Sequence, residues 1–506
     1  MSGSRACCRQ LPGGRWRARA GCNADGAGSA QVAMRTVPGQ PVARGTVAGP
    51  RRLQCGRCWA SRLPRGRSRA RASCQGESGG GPAMTALSLF HETPLSPFTE
   101  SQVLQAAFDR DPSPYKMFLG TKEYCVDDGQ SSMLPVVKKV KQRMANDQTL
   151  NHDYLPVLGL PEFNRAVTAL ILGKDSIAIV EKRADSVQVP GSDAAFFMGA
   201  QFLKQWYTIT HPKTATVYVS LPAWENHAAA FAKVGFTDIF GYRYWDNVKL
   251  GLAIQQWQED LENAPEHSIV VLDIAAHHPT ATDPTPAAWR QIAEIMKRKK
   301  LFPFFYVTSQ GLATGDLNRD AWPVRYFVTE RFELFCVQSF SKSFGLYNEK
   351  VGSLTIVSRD NSTLIRIRSQ MELTVRCTWS NPPRHGSRIV ATVLNNPSFF
   401  TEWQQNLKRM TERLMLIKEK LKEELRTLGT SRPWEHITKQ TGMYIYPGFT
   451  NSQINYLRNM KHIYLLASGQ INISRVNSEN IAYLARCMHE AVLLNPEDNE
   501  SETNNE

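Results

Sequence analysis

The stretch Phe332-Glu333-Leu334-Phe335-Cys336-Val337-Gln338-Ser339-Phe340-Ser341-Lys342-Ser343-Phe344-Gly345-Leu346-Tyr347 decides how the chain reads. Its first half is apolar and β-prone. Its second half is small, hydroxyl-rich and broken by a glycine, so a buried strand runs out into a turn at Lys342. A lysine placed there has lost much of its water. Desolvation favours the neutral amine, and only a neutral amine condenses with an aldehyde. Taken alone, the pattern also fits a surface lysine whose stem lies along the protein.

Outward from this stretch, short β-branched and aromatic runs alternate with helical periodicity. Strands are expected over 216–220, 268–274, 302–307, 332–337 and 351–357, with helices over 192–206, 252–263 and 286–299. Such alternation implies crossover units, hence an α/β fold with a mostly parallel sheet and helices on both faces. Ligands of these sheets lie beyond the carboxyl ends of the strands, where Lys342, Tyr306 and His278 all fall. After residue 385 the pattern changes. Trp403, Leu407, Met410, Leu414, Ile417, Leu421 and Leu425 form one apolar stripe on a long helix closing at Gly429, the bridge into a smaller C-terminal domain. The expected division is a basic extension (1–83), an arm with part of the small domain (84–131), a large domain (132–409), a small α+β domain (410–494) and an acidic tail (495–506).

The chain has 506 residues, 42% of them hydrophobic, enough for one large or two ordinary domains. Its net charge of +14 is concentrated in residues 1–83, which hold fifteen arginines and no lysine against Asp25 and Glu77. The remainder is close to neutral, so neither a nucleic-acid nor a membrane partner is expected. Poor in aliphatic periodicity, residues 1–83 read as a disordered arm, a transit peptide or an extension upstream of a start at Met84, the last being favoured. Six of the ten cysteines lie there; Cys125, Cys336, Cys377 and Cys487 are isolated, as suits a reducing compartment. Cys55 and Cys58 have zinc-like spacing but no second pair, and His277 and His278 are adjacent, so no metal is expected. No apolar run approaches the roughly 18 residues of a membrane span.

Several motifs, in order, complete the picture. They are Leu119-Gly120 through Tyr124, Leu150 through Pro156 around Tyr154, and Val217-Tyr218-Val219-Ser220-Leu221-Pro222-Ala223-Trp224-Glu225-Asn226-His227. Asp283-Pro284-Thr285-Pro286, Arg376 to Pro383 and Lys461-His462-Ile463-Tyr464-Leu465-Leu466 follow. With the stretch around Lys342, they make the chain from about Ser88 to Leu493 resemble the cytosolic aspartate aminotransferases. The resemblance implies a fold-type I pyridoxal-phosphate-dependent transferase, a cytoplasmic homodimer with shared active sites, and small dicarboxylic amino acids and 2-oxo acids as substrates. It further implies that Lys342 holds the cofactor covalently and moves a proton once freed, and that Trp224 stacks on the ring. Ser192 and Ser339 would bond the phosphate with Lys350, and Tyr154 would reach it from the other subunit. Arg376, also from the other subunit, would pair with the distal carboxylate.

Against this resemblance several positions depart. Tyr306 stands where the family has the aspartate that keeps the ring nitrogen protonated. A carboxylate against a pyridinium is worth on the order of 4 kcal/mol at an effective dielectric near 20, and a phenol can only hydrogen-bond the nitrogen. Ser309 and His278 replace a tyrosine and an asparagine that hold the ring's 3′ oxygen. Asp193 brings an acid to the phosphate cup, and Lys350 replaces an arginine, losing its bidentate fork. Gln470 replaces the arginine that grips the substrate α-carboxylate, a pair worth roughly 1.5–3 kcal/mol. Losses of about 5 kcal/mol correspond to three to four decades in rate, although such groups do not add independently.

Three functions follow: an aspartate-aminotransferase-like protein whose transamination is slow, a non-catalytic scaffold or dimer partner, and a protein running another reaction on a dicarboxylic amino acid, racemisation or elimination.

Overall fold

In a computed structural model, residues 7–11, 15–19, 88–96, 98–126, 133–212, 215–430 and 432–494 are described. The expectations for 1–83 and 495–506 lie outside them, apart from one antiparallel pair of short strands, Cys7–Leu11 with Arg15–Arg19, in a separate unit.

The second unit is built on a seven-stranded sheet. In chain order its strands are β1 (Ala184–Pro190), β2 (Val217–Leu221), β3 (Ile239–Arg243), β4 (Ile269–Ile274), β5 (Phe302–Val307), β6 (Leu334–Ser339) and β7 (Val351–Val357). Across the sheet the order is β1-β7-β6-β5-β4-β2-β3. Only β7 runs against its neighbours, so the sheet is mostly parallel, as expected. Every residue of β4 and of β7 is buried, which is what a sheet covered on both faces requires. On one face Phe196 of the helix Ser192–Phe202 stacks on Phe304 at 4.9 Å. On the other, Trp289 and Phe327 pack around Phe305.

The helix Pro397–Thr427 is 31 residues long and runs unbroken through position 409, so the expected domain boundary falls inside one element. Beyond it, Tyr444–Ile445 pairs with Ile471–Asn472, and Ile463–Tyr464 pairs with Met117–Phe118. These short pairings tie the residues before and after the large sheet into one small α+β layer.

Candidate active site

Lys342 follows β6 by three residues, in the short helix Ser341–Phe344, which stops at Gly345 in the left-handed region (φ 64°). The turn is pinned from behind. Phe344 stacks on Trp403 at 4.5 Å, Phe340 meets Phe163 at 5.5 Å, and the Trp403 indole N–H donates to the Ser343 carbonyl at 2.8 Å. With its neighbours fixed, Lys342 projects into a cavity of about 260 Å³ at the carboxyl ends of β4, β5 and β6. Its ammonium lies 5.4 Å over the Tyr444 ring and has no hydrogen-bond or ion-pair partner among the described residues. What accessibility Lys342 keeps faces this cavity and an adjoining pocket on the Tyr124 side. Burial pushes its amine down to about 8, with Asp273 opposing the shift and Lys122 adding to it.

One cavity wall is aromatic. Trp224 caps the helix Glu225–Lys233 after β2, and its ring centroid is 5.5 Å from Tyr306 and 6.4 Å from His278. The residues expected at the phosphate line the same cavity. Ser192 and Asp193 open their helix behind Gly191 (φ 90°), and Ser339 and Lys350 flank the same space. That helix start is set by backbone contact: a Cβ on Gly352 of β7 would lie 2.6 Å from the Gly191 carbonyl carbon. Asp193 is exposed at the cavity edge, not buried in it.

The Tyr306 phenol donates to Ser192 Oγ at 3.2 Å, so the hydroxyl is engaged at the start of that helix. The nearest buried acid is on the neighbouring strand. Asp273 is 4% exposed, pairs in register with Tyr306 across β4 and β5, and accepts the His278 N–H at 3.0 Å. Burial drives its carboxyl well above the usual carboxylate range, while the His278 N–H pulls it back. A second carboxylate, on half-buried Asp283, accepts the N–H groups of Ala276 and His277 and the Thr441 hydroxyl, fixing the loop that carries His278. His277 turns away into contacts with Ser220 and Thr280. Burial keeps His278 neutral, and Gln470 reaches it, amide nitrogen to imidazole Nε2, at 2.9 Å.

The structure thus brings Lys342, Trp224, Ser192, Ser339, Lys350, His278 and Tyr306 to one cavity, with Gln470 behind His278. Ser309 is 4% exposed, and its carbonyl accepts from the Leu312 and Ala313 N–H groups; Thr308, beside it, lines the cavity. Tyr154, 89% exposed, and Arg376, ion-paired at 2.9 Å with Glu372 one turn back, lie outside the cavity of the single chain. Sequence reading missed Asp273, Lys122, Glu123, Tyr347 and Tyr444. An acid inside the otherwise apolar run 269–274 was the available signal for the first. The others gained meaning only once distant segments met. A buried amine, a flat indole wall and a hydroxyl-lined helix start together suit a phosphorylated aromatic aldehyde.

Comparison with known proteins agrees. Residues 114–487 match the model of aminotransferase class I and II. Cytoplasmic aspartate aminotransferase from Gallus gallus is 50% identical over 80% of this chain and 99% of its own length; that from Caenorhabditis elegans is 41% identical over 80% and 98%. Among solved structures, aspartate aminotransferase from Saccharomyces cerevisiae cytoplasm superposes with a TM-score of 0.76 at 32% identity, covering 80% of this chain and 98% of that one. An aromatic-amino-acid aminotransferase from Burkholderia pseudomallei, covalently bound to pyridoxal phosphate, gives 0.76 at 34% identity, covering 80% and 100%. Fold and site together define a fold-type I pyridoxal-phosphate-dependent transferase. The chain belongs to the aminotransferase class I and II family.

Proposed function

We propose that the protein binds pyridoxal 5′-phosphate through Lys342 and transfers the amino group of a small dicarboxylic amino acid, such as L-aspartate, to 2-oxoglutarate, slowly. The observation that carries this reading is the unpartnered Lys342 amine facing a cavity walled by Trp224. The bound aldehyde supplies electron withdrawal from the substrate carbon; the chain supplies everything else. Trp224 limits the ring to one plane, Ser192, Ser339 and Lys350 hold the phosphate, and the Lys342 amine accepts and returns the proton. Tyr306, neutral and turned to Ser192, places no carboxylate opposite the ring nitrogen, which supports a weak electron sink. The homodimer belongs to the same reading, as does cytoplasmic residence. Tyr154 is exposed in the single chain, and Arg376 carries charge on its surface, where a partner subunit's site would use both. No helix among the described residues is long and apolar enough to cross a membrane.

Turnover of L-aspartate with 2-oxoglutarate by the full chain, supplied with pyridoxal phosphate, tests this. The expected rate is low yet above that of Lys342→Ala. The double variant Tyr306→Asp, Gln470→Arg is expected to raise it by about tenfold or more. Turnover no higher than Lys342→Ala in both proteins would leave a non-catalytic scaffold.

A further inference from the structure

The side chains at Gln470 and His278 set what that end of the cavity can bind. Their 2.9 Å contact joins a neutral amide to a neutral imidazole, and both Gln470 Oε1 and His278 Nδ1 are buried without a partner. The amide nitrogen donates to a bare Nε2 or, with the amide turned over, the amide oxygen accepts from Nε2–H. Either way the pair leaves an acceptor open beside its remaining donor, and neither side chain is charged. A carboxylate offers acceptors only. This pair therefore offers a carboxylate no charge, and its open acceptor cannot bond one.

The same cavity also carries a cation. Lys122 lines the same cavity with its ammonium 5.7 Å over the Trp224 ring. Its side chain is exposed, and among the described residues the ammonium has no carboxylate partner. Glu123, the acid beside it, accepts the Lys122 main-chain N–H at 3.2 Å and lies toward Tyr347 and Tyr444, whose phenols burial raises and Glu123 raises further. Behind burial, and after Lys342 and His227, Lys122 also disfavours charge on His278, so its field reaches the Gln470 end.

We infer that Lys122 receives a substrate carboxylate at the cavity mouth, the charge that position 470 no longer supplies. This assignment rests on the functional reading above and names a residue that the family resemblance does not. An ammonium on a flexible stem makes a point contact, not a fork, so it holds a carboxylate loosely and selects less strictly for its geometry.

Calorimetric titration of the full chain with succinate, a dicarboxylate without an amine, tests it. Lys122→Met is expected to weaken binding about three- to tenfold, as for a partly screened charge contact, and Lys122→Arg to keep it within about twofold. In a Gln470→Arg background, Lys122→Met should cost less than about twofold, because the arginine then carries the carboxylate. An unchanged dissociation constant in Lys122→Met, an equal loss in both backgrounds, or no succinate binding by the wild type would overturn the assignment. A covalent trap at Lys342 on the same samples separates the failures. An adduct with an unchanged constant removes only the role of Lys122, whereas no adduct removes the functional reading and this assignment with it.

Discussion

At Lys342 burial acts one way and Asp273 the other, and the amine settles at about 8. Because the shift is downward, protonation dominates below that value and the reactive neutral amine above it. At pH 7 about one amine in ten is neutral. The rate of covalent uptake of pyridoxal phosphate by the cofactor-free protein should therefore rise with pH and level off above a midpoint near 8. Asp273→Asn removes the opposing charge, so the midpoint should move to lower pH; stopped-flow absorbance across pH 6–10 reads both, and a midpoint that moves up would contradict the assigned contact. The lysine was legible in sequence because a strand, a small-residue turn and a glycine converge on it. Asp273 was not. Its importance comes from cross-strand register with Tyr306, a pairing that chain order does not reveal.

Elements place these residues, and the tightest constraint is backbone against backbone. Gly352 lets β7 touch the Gly191 turn, which sets the start of the Ser192 helix. Gly352→Ala is expected to cost about 1–3 kcal/mol through overpacking, read as a lower urea midpoint, and to weaken phosphate binding together with stability. Unchanged stability would mean that the turn yields freely. Helical periodicity made the long C-terminal helix readable, from Trp403 to its end before Gly429. Four strands, β2, β4, β5 and β7, were found within one residue of their limits, because each is a run of mostly apolar, β-prone residues. The two strands missed, β1 and β3, are the sheet's edges; each mixes buried and part-exposed positions and contains polar residues, so no apolar run announces it. The expected strand at 332–337 begins two residues later, at Leu334, and ends at Ser339, which brings the lysine turn closer to the strand.

For the molecule as a whole, the N-terminal arm leaves Leu89 94%, Phe90 77% and Leu95 98% exposed. Three large apolar side chains on one short segment suit a surface covered by a second copy of the chain. For the proposed homodimer with shared sites, Leu89→Glu with Leu95→Glu should shift the protein from dimer to monomer in sedimentation at micromolar concentration and lower cofactor affinity. A dimer that persists would move the interface elsewhere. The central claim concerns the amine at position 342, and borohydride reduction of the full chain incubated with pyridoxal phosphate tests it most directly. Peptide mapping is expected to place the reduced pyridoxyl group on Lys342 and to lose it in Lys342→Ala. Bound cofactor with no adduct at Lys342, or adducts only on surface lysines, would contradict the account.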